Sequence, residues 1–234
     1  MNATQEDGSR KFALVRRAGR ARRPQSYVFT GHLASGNMHP VNPTIPIAIS
    51  ARHAHFSQAT LDALFGRGYV LTAKSALSQP GQFAAIETVT LVGPGGSIGH
   101  VRVLGPPREA DQIELSRSDE FALGIEAPLR VSGNLAGTPG VEVVGPAGSV
   151  RLASGVVTPM RHIHMSPADA QRLGVQDRER VSVAVDSDGR DVVFRDVVVR
   201  VSPQFRLELH LDTDEGNAAG VCHGSRATLL KLAP

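Results

Sequence analysis

Residues 51–57 read ARHAHFS, and residues 160–166 read MRHIHMS. Each stretch sets an arginine before two histidines spaced i, i+2, then an apolar residue and a serine. A chain that repeats such a phrase in matching surroundings is constrained to fold as two related halves. The surroundings do match. Ser57 and Ser166 stand where a helix N-cap belongs, and Pro167 takes the favoured first helical position. The short helical segments QATLDALFG and PADAQRLG follow, ending at Gly66 and Gly174, which suit a left-handed cap. Downstream, VTLVGPGGS and VEVVGPAGS each read as a strand entering a Gly-Pro turn, and so as hairpins. A second echo links IELSRSDEFALG (113–124) with LHLDTDEGNAAG (209–220), equal in length, each a strand, an acidic turn and a final glycine. Aligned this way, Glu114 falls opposite His210.

Between these phrases lie short valine-rich runs broken by turn residues. With 24 glycines, 15 prolines, 4% aromatic residues and no tryptophan, the core must be built from aliphatic side chains, and the chain reads as mainly β. IPIAIS forms a strand leading directly into the first histidine pair. VSVAV and DVVFRDVVVRV form strands around the turn DSDGR. Residues 1–41 carry little hydrophobic period and read as an extension. The stretch KFALVRRAG within it has the pattern of a short basic amphipathic helix, although composition favours a solvated tail.

Several classes are excluded. No apolar run approaches the ~20 residues of a membrane span, and no signal-peptide core follows the N-terminal basic residues. The single cysteine, Cys222, forbids an intramolecular disulfide framework and fits a reducing cytosol. The net charge of +3 comes from the tail: residues 1–24 hold seven of the 25 basic side chains and two of the 22 acidic ones, leaving 18 against 20. A cytoplasmic protein with neither a nucleic-acid nor a membrane partner is expected.

Histidines at i and i+2 of a strand project from one face, ~6.6 Å apart along it, and two imidazoles so placed can lean onto one ion. One such pair would read as surface histidines. Two pairs in matched contexts, each with a matched third candidate, favour metal binding. The groups are His53, His55 and Glu114, and His162, His164 and His210. In QIELS and RLELHLD the third candidates fall on the polar side of strands read as half-buried. Three protein donors per ion leave positions open, as at catalytic zinc sites. Arg108, six residues before Glu114, could bring a guanidinium to the first metal, where it suits a phosphate or carboxylate. No P-loop, G-x-G-x-x-G turn or G-x-S-x-G elbow is present.

The stretches ISARHAHFS, LSQPGQFAAIETVTLVGP, VRVLGPPREADQIELSRSDEFALG, RHIHMSPADAQRLGV and HLDTDEGNAA resemble the PduL-type phosphate propanoyltransferases, phosphotransacylases of bacterial microcompartments, from about Ile45 to Ala219. The resemblance implies two β-barrel domains capped by short α-helices, with a dinuclear Zn(2+) site between them. The halves are then 42–160 and 161–234, with strand 42–51 joining the second barrel. It also implies that His53, His55 and Glu114 bind one zinc and that His162, His164 and His210 bind the other. Arg108 would hold phosphate, while Ala48, Ile49, Ser50, Arg102 and Asn217 would line the coenzyme A site. The implied reaction is acyl-CoA + phosphate ⇌ acyl phosphate + CoA, with a propanoyl group, as in propanediol degradation. A homo-oligomer is expected, with residues 1–41 as a targeting segment toward microcompartment shell or core proteins in the lumen. Two other readings remain open: a zinc-dependent amide or ester hydrolase, and a non-catalytic metal-stabilised binding protein. A cupin oxygenase fits poorly, because Glu114 stands 59 residues after His55.

Overall fold

A computed structural model describes residues 43–222 and 224–230; the extension read over 1–41 lies outside them. The described chain begins β1 (Thr44–Ser50), β2 (His53–His55), α1 (Gln58–Phe65), β3 (Ala73–Ala76), β4 (Phe83–Gly93), β5 (Gly96–Gly105), β6 (Gln112–Glu114) and α2 (Arg117–Leu123). It continues β7 (Leu129–Arg130), β8 (Glu142–Val144), β9 (Ser149–Arg151), β10 (Val156–Pro159), β11 (His162–Met165) and α3 (Pro167–Leu173). The last elements are β12 (Arg180–Val185), β13 (Val192–Val201), β14 (Glu208–Asp212), α4 (Thr213–Ala218) and β15 (Arg226–Leu230).

The protein is mainly β, in two sheets. Strands β1-β14-β11-β13-β12-β15 close into a six-stranded barrel filled by aliphatic side chains such as Ile45, Ile163, Val183, Val199, Leu209 and Leu229. The other sheet has nine strands in the order β7-β10-β6-β2-β5-β4-β8-β9, with β3 paired to β4. It curls over its own core of Phe56, Leu61, Leu91, Val103, Ile113 and Leu123 as a half-barrel. Its edge strands, β7 with two residues and β9 with three, offer too few ladder hydrogen bonds to close a ring. Both Gly-Pro turns read from the sequence join antiparallel hairpins, β4–β5 and β8–β9.

The sheets interleave along the chain. Strand β1 pairs with β14 and β15 of the barrel, and two residues later β2 lies in the open sheet. Strand β10 pairs with β6 and β7 of the open sheet, and two residues later β11 lies in the barrel. Each histidine pair is therefore reached by a short link from the opposite sheet.

Each strand bearing a candidate ligand runs straight into a helix. Ser57, Ser116, Ser166 and Asp212 are the four N-caps, each two residues after His55, Glu114, His164 or His210. Their side chains accept the third backbone N–H of the helix, and α2, α3 and α4 complete a reciprocal capping box. The C-termini differ from expectation at one position. Gly174 is left-handed at φ 63°, ψ 44°, but Gly66 sits at φ 114°, ψ 151°. There the chain leaves extended, in a region open only to glycine.

Candidate active site

The candidate ligands are set by strand register. In the antiparallel pair β2–β6, His53 faces Glu114, Ala54 faces Ile113 and His55 faces Gln112. In β11–β14, His162 faces His210, Ile163 faces Leu209 and His164 faces Glu208. The registers are the same, so each third residue lies directly across from the first histidine. Residues so opposed have Cβ atoms ~4.5–5.5 Å apart. Within each triad, one donor atom per residue can be chosen so that all lie within 4.8 Å of one another.

The imidazoles are oriented alike in the two halves. His53 Nδ1 lies 2.8 Å from the carbonyl of Ala51, and His162 Nδ1 lies 2.9 Å from that of Met160. Each first histidine thus donates Nδ1–H to a carbonyl two residues back and keeps Nε2 for the triad, 3.5 Å from Glu114 Oε2 in the case of His53. The second histidines carry the opposite nitrogen: His55 Nδ1 and His164 Nδ1 are buried without a hydrogen-bond partner, as is His210 Nε2. Only one other described side-chain atom, Ser187 Oγ, shares that condition. Glu208 Oε2 is 3.0 Å from His210 Nε2 but off the line of a hydrogen bond, and Ser50 Oγ lies 3.3 Å from His210 Nδ1.

Burial keeps His55, His162 and His164 neutral. Desolvation, reinforced by the neighbouring histidines, pushes His55 and His164 down to about 2 and His162 down to about 4. Burial opposes ionisation of Glu114 too, yet His53, His162, the Ser132 hydroxyl and Arg108 together hold its carboxyl below the usual range. The expectation of a half-buried strand holds for β14, where Leu209 and Leu211 are buried and Glu208 and His210 are half-buried, and is corrected for β6. Gln112 and Glu114 are 2% and 7% exposed, all three residues of β6 being buried, and Gln112 is itself tied down. Its amide donates to Glu114 and to Ser132, and its carbonyl accepts from the backbone of Gly133.

The repeated arginines have a shared task. Arg52 Nη1 donates to Asp119 Oδ1 at 2.6 Å, and Arg161 Nη1 lies 3.3 Å from Glu215 Oε1. Asp119 and Glu215 are the capping-box acids of α2 and α4, the helices that follow Glu114 and His210. Each arginine therefore ties the start of its histidine pair to the strand and helix carrying the third ligand.

Both triads open onto one cleft of about 470 Å³, which Ala48, Ile49, Ser50, Arg102 and Arg108 also line. Arg108 is fixed by its backbone N–H, 2.9 Å from the carbonyl of Phe56. Arg102 Nη1 donates to the carbonyls of Ala85 and Ile86. Asn217 is not brought to this cleft: it is exposed on α4, where its carbonyl accepts from Arg190. Helix α4 packs on β1 through Gly216, where a Cβ would overlap the Ile49 side chain. Cys222 is exposed, lies near Ser225 and joins neither triad. Sequence reasoning missed Arg200, Phe205, Gln79 and Glu208, all on or beside this cleft. The available signal for Arg200 was an arginine closing a run of three valines.

A family model described as phosphate propanoyltransferase matches residues 46–222. The chain belongs to the phosphate propanoyltransferase family. It is 52% identical over 177 residues to the phosphate propanoyltransferase of Thermotoga maritima, covering 76% of this chain and 84% of the relative. The protein of that name from Salmonella typhimurium is 53% identical over 176 residues, 75% of this chain and 83% of the relative. That of Rhodobacter capsulatus is 51% identical over 188 residues, 80% and 87% respectively. As a member of that family the chain is an enzyme, an acyltransferase working between acyl-CoA and phosphate. No described helix is long and apolar enough to cross a membrane.

The donor sets fit metal ions. An unpartnered buried polar atom costs ~1–3 kcal/mol, and three of the four such side-chain atoms described, all of them nitrogens, lie within the triads. Ligand lengths of ~2.0–2.1 Å allow at most ~4.2 Å between donors on one zinc, within reach of the present 4.8 Å grouping. Imidazoles with one nitrogen committed to a carbonyl, as in His53 and His162, are the oriented form that metal sites use.

Proposed function

We propose that this enzyme is a dinuclear zinc phosphate propanoyltransferase, converting propanoyl-CoA and phosphate to propanoyl phosphate and CoA. His53, His55 and Glu114 would hold one ion; His162, His164 and His210 the other. Bound there, zinc supplies Lewis acidity that polarises a carbonyl and steadies a departing thiolate. The observation that supports this reading is the opening of both triads and Arg108 onto one cleft, since acyl transfer needs both reactants within a few ångströms.

The chain's own groups divide the work. Arg108 grips hydrogen phosphate through two parallel hydrogen bonds and directs one oxygen at the thioester carbonyl carbon. As the new C–O bond forms and the C–S bond breaks, the proton of hydrogen phosphate ends on the CoA sulfur. Ala48, Ile49, Ser50 and Arg102 line the coenzyme A approach, with Asn217 meeting a more distant part of that long molecule. No side-chain nucleophile is needed, so phosphate and acyl-CoA react directly in one ternary complex. Residues 1–41 act in targeting to a microcompartment, not in catalysis, and the catalytic halves are 42–160 and 161–234, working as a homo-oligomer. The name shared by the relatives supports the propanoyl group.

The deciding assay is release of free thiol from propanoyl-CoA with and without inorganic phosphate. The expected result is release that requires phosphate and gives a hydroxylamine-reactive acyl phosphate. Equal release without phosphate makes the protein a hydrolase, and no release in either case makes it a binding protein.

A further inference from the structure

Arg200 stands in the same cleft, on the barrel side, and nothing in the proposed chemistry yet uses it. In the parallel pair β11–β13 it lies beside His164, and its Nη1 is 3.4 Å from His164 Nε2. The Phe205 ring lies 5.5 Å from its guanidinium carbon and 4.1 Å, centroid to centroid, from the His164 ring. The side chain is half-buried and lines the cleft. At the matching place in the other half, beside His55 on β5, the chain has Leu104, by continuation of the β2–β5 register. The duplication therefore puts a guanidinium in one half where the other has an aliphatic group.

The four arginines lining the cleft divide into two kinds. Arg52 is paired with Asp119, and Arg102 is spent on two backbone carbonyls. Arg108 and Arg200 make no ion pair among the described residues. Burial lowers the pKa of both, Glu114 acts on both in the opposite sense, and Arg200 is felt by Arg108. Both line the one cleft, Arg108 from the half that carries the first triad and Arg200 from the barrel beside His164. Two like charges drawn from water into one cavity, neither of them paired to a carboxylate, are costly unless an anion joins them. Arg102 satisfies itself on carbonyls; these two are left for something that arrives.

We propose that Arg200 is a second phosphate-binding residue, which with Arg108 holds inorganic phosphate, and the phosphoryl end of the acyl phosphate, between the barrel and the open sheet. The proposal rests on the phosphate-transfer reading of the cleft. Two guanidiniums match a dianion better than one, and Phe205 holds the Arg200 fork in a fixed plane. Because the arginines belong to different sheets, phosphate bound between them also braces the two halves at the reacting centre.

The test compares Arg200→Met, Arg200→Lys and Arg108→Lys in the metal-loaded full-length enzyme. Loss of a charge-assisted contact predicts a phosphate KM raised roughly 10- to 100-fold in both Arg200 variants. The propanoyl-CoA KM should stay within about twofold and metal content should be unchanged, since truncating a phosphate contact alone affects neither. In the unsubstituted enzyme, inorganic phosphate should protect both Arg108 and Arg200 from phenylglyoxal, read by peptide mass spectrometry. This arm needs no variant to fold. An unchanged phosphate KM with reduced metal or melting temperature, or phosphate protection of Arg108 but not Arg200, overturns the proposal and makes Arg200 a support for His164. If Arg108→Lys also leaves the phosphate KM unchanged, the phosphate reading itself has failed.

Discussion

In the open sheet, the residue across from the first histidine is a carboxylate, Glu114, held by the Gln112 amide. In the barrel it is an imidazole, His210, with Ser50 on one side and the Glu208 carboxylate on the other. The backbones match pair for pair, down to the carbonyl two residues back that orients His53 and His162. What differs is where the negative charge stands: inside the first triad, and beside the second. Glu208 in turn accepts from the hydroxyl of Ser78 and the amide of Gln79, which reach it from the loop between β3 and β4. A duplicated scaffold has thus been kept for geometry while its two halves have been given different electrostatics. Two sites with one job would not need that difference; an acceptor and a leaving group to be handled separately would.

The largest effect should come from removing a ligand. His53→Ala and His162→Ala should each lower activity by at least ~100-fold and remove about one ion per chain, as expected when a three-donor site loses a donor. Elemental analysis alongside the assay checks this. Loss of both ions from either variant would mean that the triads are one cooperative centre and not two comparable ones.

Next is the exchange of donors. Glu114→His gives both triads the same three imidazoles. If the asymmetry serves the chemistry, metal content should stay near that of the parent while kcat falls about 10- to 100-fold, the scale on which altered metal surroundings act. Parent-like kcat would show that the difference between the halves is idle.

The clamping arginines give a smaller effect and a ranking. Arg52→Met leaves Asp119 buried at 7% side-chain exposure, whereas Arg161→Met leaves Glu215 at 22%. The first should cost about 1–3 kcal/mol of unfolding free energy by stranding a buried charge. The second should cost about 0–1 kcal/mol, as more solvated pairs do. Urea unfolding measures both, and a reversed order would contradict the tighter clamp in the open sheet.

Acid should act more on the barrel. In metal-stripped protein, His55, His162 and His164 have folded pKa values pushed below the ~6.5 of an unfolded histidine. The unfolded chain then binds more protons, so their stabilising contribution is complete above about pH 6.5 and falls as pH drops toward 4 for His162 and toward 2 for the others. Two of the three belong to the barrel triad. His164→Gln should therefore flatten the decline in urea midpoint between about pH 6.5 and 4 at least as much as His55→Gln.

Much of this could be read from the chain directly. The repeated R-H-x-H-x-S phrase carries its local physics with it: alternation puts both histidines on one face, and a serine two residues on caps the next helix. The match of IELSRSDEFALG with LHLDTDEGNAAG paired Glu114 with His210 because equal spacing from an N-cap gives equal strand position. Those are properties of neighbours in sequence, and they need no knowledge of the rest of the molecule. Other features depend on which strands meet, and no local pattern encodes that. Strand pairing within the barrel brought Arg200 beside His164, and packing between the halves brought Gln79 across to Glu208 on β14. Whether a sheet closes also depends on its edges, which is why one half is a barrel and the other, ending in β7 and β9, stays open. Burial likewise belongs to the assembled fold: Glu114 reads as the polar face of a strand, yet with Gln112 and His53 gathered against its carboxylate it is 7% exposed.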